Sequence, residues 1–200
     1  MKYNVLSIMA VLAAFVAGLF SVSARDISHM DPENILVITI ENPLPDGTKT
    51  VGHVAILMRP DVAPNHVKRV KELARKKFYD GIIFHRVEAG FMAQTGDPTG
   101  TGTGGSGQKL LPEFNKLPHL RGTVSMARAD AEDSADSQFF ICFTRTAFLD
   151  GKYTAWGRVV TGMDVVDGIP LGTPPRVPGK MTSVRVAADI EGWADKAKNF

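Results

Sequence analysis

Phe84-His-Arg-Val-Glu-Ala-Gly-Phe-Met-Ala-Gln94 alternates large apolar residues with polar, hydrogen-bonding ones. Successive strand residues point to opposite faces, so short strands here set Arg86 beside hydrophobic neighbours. Further on, Gln138-Phe-Phe140 puts Gln138 and Phe140 on one face and Phe139 on the other. A face with Arg, Gln, Phe and Met is neither plain core nor plain surface. It has the composition of a mostly apolar pocket carrying a few orienting polar groups. Taken alone, Arg86 also reads as an ordinary ion-paired surface arginine.

The sequence around this region is rich in strands. Residues 35–41 are β-branched and read as a strand. A turn cluster follows at 42–47, and residues 51–58 complete a hairpin. Pro64 suits the first turn of a helix. Val67, Val70, Leu73, Ala74 and Phe78 then recur at helical spacing until Asp80-Gly81 stops the run. Further strands are predicted at 82–87, 91–94, 122–127, 138–143, 155–160 and 182–188, with a short helix at 163–167. Many strands and one or two helices predict an antiparallel barrel or sandwich with the helices outside.

The chain of 200 residues has one cysteine, 44% hydrophobic and 22% charged residues, and a formal net charge of +2. This is ordinary globular composition, and it excludes disordered, collagen-like and polytopic membrane classes. A single cysteine makes neither an internal disulfide nor a zinc finger. The N-terminus has a separate character. Lys2 is followed by an apolar run from Val5 to Phe20, and no charge appears until Arg25. Ser21-Val-Ser-Ala24 is rich in small residues, with Val22 and Ala24 suited to signal peptidase. The run of about 16 residues is shorter than a spanning helix needs. The expected organisation is a cleaved signal peptide at 1–24, a flexible lead-in at 25–34, one domain at 35–190 and a tail at 191–200. An uncleaved inner-membrane anchor is the alternative to periplasmic export.

Several signals point away from other chemistries. Gly102-Thr-Gly-Gly-Ser-Gly107 satisfies a dinucleotide fingerprint, but prolines flank it at 98 and 112, so no helix N-terminus is available for a pyrophosphate. Lys68, Arg69, Lys71, Arg75, Lys76 and Lys77 crowd one helix. A solvated face explains them better than nucleic-acid binding, because no aromatic residues interleave for base stacking. Cys142 lies in an apolar strand and reads as a small buried hydrophobe. The five histidines lack metal-ligand spacing, and no acyl-transfer serine motif is present.

The sequence resembles the cyclophilin-type peptidyl-prolyl cis–trans isomerases. The matching stretches are Tyr79-Asp-Gly-Ile-Ile-Phe-His-Arg-Val87, Gly90-Phe-Met-Ala-Gln-Thr-Gly-Asp97, Gly100-Thr-Gly-Thr-Gly-Gly105, Gly122-Thr-Val-Ser-Met-Ala127, Ser137-Gln-Phe-Phe-Ile141 and Phe148-Leu-Asp-Gly151. The segment from Met126 to Ser137 resembles the exported bacterial branch. The resemblance implies a closed, eight-stranded antiparallel barrel capped by two α-helices, with the substrate groove on its outside. It implies Arg86 as the catalytic arginine, with Phe91, Met92, Phe140 and Leu149 lining a proline pocket. Gln94 and Gln138 would hydrogen-bond the substrate backbone. Ala127, Arg128 and Ala129 would form the edge along which the peptide lies, Arg128 through its main chain. Phe148 and Tyr153 stand at groove positions where many eukaryotic members have tryptophan and histidine. His85 is expected to be structural, on the strand face opposite Arg86. The implied partners are proline-containing unfolded or exposed polypeptide segments, met by a monomer with no cofactor, no metal, no nucleic acid and, once the signal is removed, no membrane. A peptide-binding holdase with vestigial activity is the competing function.

Overall fold

The structure, a computed structural model, describes residues 25–200. The expected signal peptide lies outside the described residues. Strands β1 (Ile35–Pro43) and β2 (Lys49–Met58) form the first hairpin, with Ile35 opposite Leu57 and Pro43 opposite Lys49. The turn closes through Gly47, whose φ of +84° favours glycine. The β1 run is apolar on both faces for a structural reason. Leu36, Ile38 and Ile40 enter the main core, while Ile35 and Val37 enter a second, smaller one on the other side.

Helix α1 (Pro64–Arg75) buries Val67, Val70, Leu73 and Ala74 against the main core. Its N-cap, Ala63, offers no side-chain acceptor. Glu113, distant in sequence, replaces it. Glu113 Oε1 accepts from the Asn65 amide at 3.0 Å, and Oε2 accepts from the His66 amide at 3.0 Å and contacts His66 Nδ1 at 2.6 Å. The helix stops at Arg75 rather than continuing to Phe78. Lys77 takes a left-handed φ of +56°, its amide donates to Ala74 O, and the Phe78 amide donates to Leu73 O. This reversal, usually made by glycine, turns Phe78 back onto the core. Much of the basic face is paired. Arg69 is buried and donates to Ser106 and Glu72, Lys71 reaches Glu33 and Asn34, and Arg75 binds Glu33 and Asp189.

The remaining strands are β3 (Arg86–Glu88), β4 (Met92–Thr95), β5 (Thr123–Met126), β6 (Phe139–Cys142), β7 (Ala155–Thr161) and β8 (Lys180–Val186). They form one eight-stranded sheet in the order β3-β4-β6-β5-β7-β2-β1-β8, antiparallel at each pairing. The sheet curls around Phe139, Ile141, Trp156 and Val184 as an open half-barrel, where a closed barrel was expected. Among the described residues no continuous ladder joins its edges, β3 and β8. The expected strand at 82–87 shrinks to β3 and an isolated bridge, Ile83 to Lys180. Its polar groups pair one residue at a time with the start of β8, as in the bonds from the Gly81 amide to Met181 O and from the Phe84 amide to Gly179 O.

Helix α2 (Met163–Asp167) falls where its pattern predicts, and a third helix, α3 (Trp193–Lys196), lies in the tail. The lead-in and tail, expected as a flexible segment and an unassigned one, hold each other. Ile27 and Trp193 are buried with Ile35, Val37 and Ala197, and the Ile27 amide donates to Ala197 O at 3.0 Å. The second apolar face of β1 requires this cover.

His66, His85 and His119 are buried, and burial lowers the pKa of each imidazole. Their unfolded pKa lies near 6.5, so below that pH the unfolded chain binds more protons than the folded one. Stability is therefore expected to fall as pH drops below about 6.5. Urea midpoints at pH 7.5 and 5.5 test this, and equal midpoints would contradict it.

Candidate active site

Strand register builds the frame of the site. Arg86 lies opposite Gln94, Gln94 opposite Phe140, and Phe140 opposite Ser125, forming a row across β3, β4, β6 and β5. Beside it run Glu88, Met92 and Cys142. The intervening residues, Val87, Ala93, Phe139 and Ile141, fill the core. The row therefore faces outward.

One part of this face is apolar. Met92, Phe140, Cys142 and Leu149 are buried together, with Phe91, Ala127 and Tyr153 packed around them. Phe140 is clamped between two rings: His119 stacks on it at 6.2 Å, and Tyr153 meets it edge-on at 6.0 Å. His119 is held by Ser125 Oγ at 2.9 Å and Asp150 at 3.0 Å. Asp150 also pairs with Arg145, and these partners hold its carboxyl well below the usual range. Burial raises the Cys142 pKa, which keeps the thiol protonated and unreactive.

The other part is polar and continuous. Arg86 donates to Glu88 Oε1 from Nε at 2.9 Å and Nη2 at 2.6 Å, and to Gln94 Oε1 from Nη1 at 3.3 Å. Its guanidinium carbon sits 5.8 Å from the centre of the Phe91 ring. Gln94 Nε2 donates to Gln138 Oε1 at 2.9 Å, and Gln138 Nε2 donates to the carbonyls of Gly102 and Gly104 at 3.0 and 2.8 Å.

That chain of bonds explains the glycine-rich loop. Asp97 accepts from the amides of Thr99, Gly102 and Gly104, and Asp136 accepts from those of Ser106 and Gly107. Internal carboxylates, rather than a phosphate, take up these loop amides. A side chain at Gly104 would collide with Asp97, and one at Gly105 with Asp136.

A cavity of about 520 Å³ gathers Arg86, Phe91, Met92, Gln94, Ala127, Arg128, Phe140, Leu149 and Tyr153. An adjoining cavity of about 290 Å³ contains Gln138 and Ala129 and shares Gln94 and Arg128 with the first. Gln138 thus stands one step from the apolar pocket, its amide already bonded at both ends. Phe148 is exposed at the rim, 5.5 Å from Phe91 between ring centres. Of the expected peptide edge, the Ala127 amide donates to Gln138 O and the Ala129 amide to Ser134 Oγ. The Arg128 side chain has its own role. It lies 4.8 Å over the Tyr153 ring and donates to the carbonyls of Ala129, Asp130 and Lys152, tying two loops together. His85 lines the same cavity as Arg86, next to Gly102, with both ring nitrogens unpartnered. Strand alternation, on which the expected opposite-face placement rested, does not extend back to His85, because β3 begins only at Arg86.

Glu88, His119, Asp150, Thr173 and Pro174 also build or border the site. Glu88 was legible, since it lies two residues from Arg86 on a strand. The His119–Asp150 pair joins residues 31 apart, with no local pattern to mark it.

The site is an outward groove in which an apolar pocket adjoins an arginine held by Glu88 and Gln94. Residues 47–186 match the family described as cyclophilin type peptidyl-prolyl cis-trans isomerase/CLD. The chain is 43% identical over 197 residues to a probable peptidyl-prolyl cis-trans isomerase of Brucella suis, covering 90% of this chain and 95% of that one. A peptidyl-prolyl cis-trans isomerase of Helicobacter pylori is 43% identical over 125 residues, covering 60% of this chain and 76% of that one. Among solved structures, cyclophilin AquaCyp293 from Hirschia baltica aligns with a TM-score of 0.69 at 26% identity, covering 96% of this chain and 84% of that one. A Cryptosporidium parvum cyclophilin-type isomerase, crystallised in the presence of the dipeptide Ala-Pro, aligns with a TM-score of 0.63 at 26% identity, covering 74% of this chain and 98% of that one. The chain belongs to the cyclophilin-type peptidyl-prolyl cis-trans isomerase family, and it is an isomerase of X–Pro peptide bonds.

Proposed function

We propose that this isomerase acts on proline-containing segments of exported, incompletely folded proteins in the periplasm, with Arg86 as its catalytic residue. The observation that carries the role of Arg86 is its fixed guanidinium at the wall of the apolar pocket. Resonance holds an X–Pro bond planar behind a barrier of about 18–20 kcal/mol. Cis and trans differ by only about 0.5–1 kcal/mol, so the obstacle is kinetic. At the twisted transition state the nitrogen lone pair is no longer delocalised and can accept a hydrogen bond. A cationic donor fixed there favours the transition state over the planar ground state. Arginine suits the task because it stays charged and presents rigid, forked donors.

In this reading Met92, Phe140 and Leu149 grip the proline ring, with Phe91 and Phe148 at the rim. Gln94 and the edge at Ala127, Arg128 and Ala129 hold the flanking peptide, so one side of the bond turns against the other. Gln138 and Tyr153 brace these groups. A proline-peptide isomerisation assay on the mature protein tests the reading, with Arg86→Ala as the control. Activity is expected to be nearly flat between about pH 6 and pH 8, because arginine does not titrate there and a histidine does. A sigmoidal profile abolished by His85→Asn would move the donor role to His85.

Export rests on the charged start, apolar run and small-residue site at 1–24. Mass spectrometry of protein from the exported fraction is expected to find Arg25 at the N-terminus. A membrane-bound chain retaining residues 1–24 would replace the periplasmic reading with the anchored one.

A further inference from the structure

Arg86 and Glu88 leave the same face of β3, opposite Gln94 and Met92 of β4. β3 is the edge of the sheet, so its outward side chains have a neighbouring strand on one side only. A long arginine at such an edge samples many rotamers unless something holds it. Here Glu88 Oε1 takes Nε and Nη2 together, and Gln94 takes Nη1. Of the five N–H donors of a guanidinium, three are thereby engaged. One on Nη1 and one on Nη2 are left for a ligand. We propose that Glu88 is a positioning residue that fixes the orientation of the Arg86 guanidinium in the proline groove. This rests on Arg86 being the transition-state donor. The side chains of Arg86 and Glu88 are 38% and 43% exposed, so solvent screens their mutual attraction. What the pair supplies is geometry: two free donors presented in one direction before substrate arrives.

The test compares Glu88→Ala, Glu88→Gln, Arg86→Ala and the double variant Arg86→Ala/Glu88→Ala in the isomerase assay. Glu88→Ala is expected to lose about two- to fivefold, the scale of an exposed ion pair, and to lose it in kcat rather than KM. Glu88→Gln keeps an oxygen acceptor for Nε and should recover most of that loss. In the Arg86→Ala background, removing Glu88 should cost nothing more, since a residue acting through Arg86 has nothing left to act on. The Arg86 Nε–H resonance in an ¹⁵N spectrum should shift in Glu88→Ala, a readout that general stability would not move. Unchanged kcat in Glu88→Ala, a loss confined to KM, or additive losses in the double variant would each overturn the proposal. Should Arg86→Ala itself stay fully active, the donor role falls and that of Glu88 with it. If Arg86→Ala is inactive while Glu88→Ala is untouched, only the role of Glu88 falls.

Discussion

Arg86→Ala is expected to lower kcat/KM for proline-peptide isomerisation by about two to three powers of ten, the scale of losing one transition-state donor. The fold should survive. The β3–β4 pairing runs through backbone groups, and the Arg86 side chain is 38% exposed, so its removal opens no cavity in the core. Glu88 loses its partner but is 43% exposed and stays solvated, so little stability is lost on that account. Substrate affinity should change less than turnover, because Met92, Phe140 and Leu149 still form the apolar pocket. Arg86→Lys should fall between wild type and alanine: it keeps the charge but loses the planar fork that Glu88 and Gln94 hold. Steady-state kinetics with circular dichroism on each variant decides the matter. A folded Arg86→Ala protein with near-wild-type turnover would remove arginine from the mechanism.

Legibility varied with how local each feature was. The β1–β2 hairpin and α2 were readable because propensity, turn chemistry and tertiary packing agree there. The end of α1 was not, since Lys77 adopts a backbone conformation that its residue type disfavours, in a reversal that packs Phe78 on the core. The lead-in looked flexible because its apolar residues Ile27 and Met30 are few and isolated in sequence, and part of the cluster they join, Trp193 and Ala197, comes from the far end of the chain. Barrel closure followed from the resemblance, yet residues 81–84 meet the start of β8 through isolated bonds rather than a ladder. At the site, strand alternation set Phe140 on the face opposite Phe139 and Arg86 among apolar neighbours, while the row of Arg86, Gln94 and Phe140 comes from the register of three strands. The lateral bonds along that face depend on register between separate strands, which spacing does not specify. Gln138 therefore reads as a substrate ligand in sequence, while in the fold both ends of its amide are already bonded.

Asp97→Ala is expected to be the most destabilising single change near the groove and to weaken catalysis from a distance. The Asp97 carboxylate is buried and accepts from the amides of Thr99, Gly102 and Gly104 as well as from Thr99 Oγ1. Burial alone would raise its pKa, but these hydrogen bonds outweigh that and bring it from the usual 3.8 down to about 2. By linkage, that difference is worth about 2.5 kcal/mol of stability at neutral pH. Alanine also leaves buried amides without an acceptor, so the expected loss is about 3–5 kcal/mol. The catalytic effect follows the bonds outward. Asp97 holds the loop whose Gly102 and Gly104 carbonyls hold Gln138, which holds Gln94, which holds Arg86. Loosening the first link should lower kcat/KM by about tenfold, since small displacements of positioned groups are costly. The pH dependence makes the attribution specific. A folded-state pKa below the unfolded value gives stability that is complete above pH 5 and fades as pH falls through 3.8 toward 2. The stability gap between wild type and Asp97→Ala should therefore shrink by about 1 kcal/mol between pH 5 and pH 3 in urea titrations. A gap that stays constant over that interval would mean that the carboxylate charge is not what holds the loop.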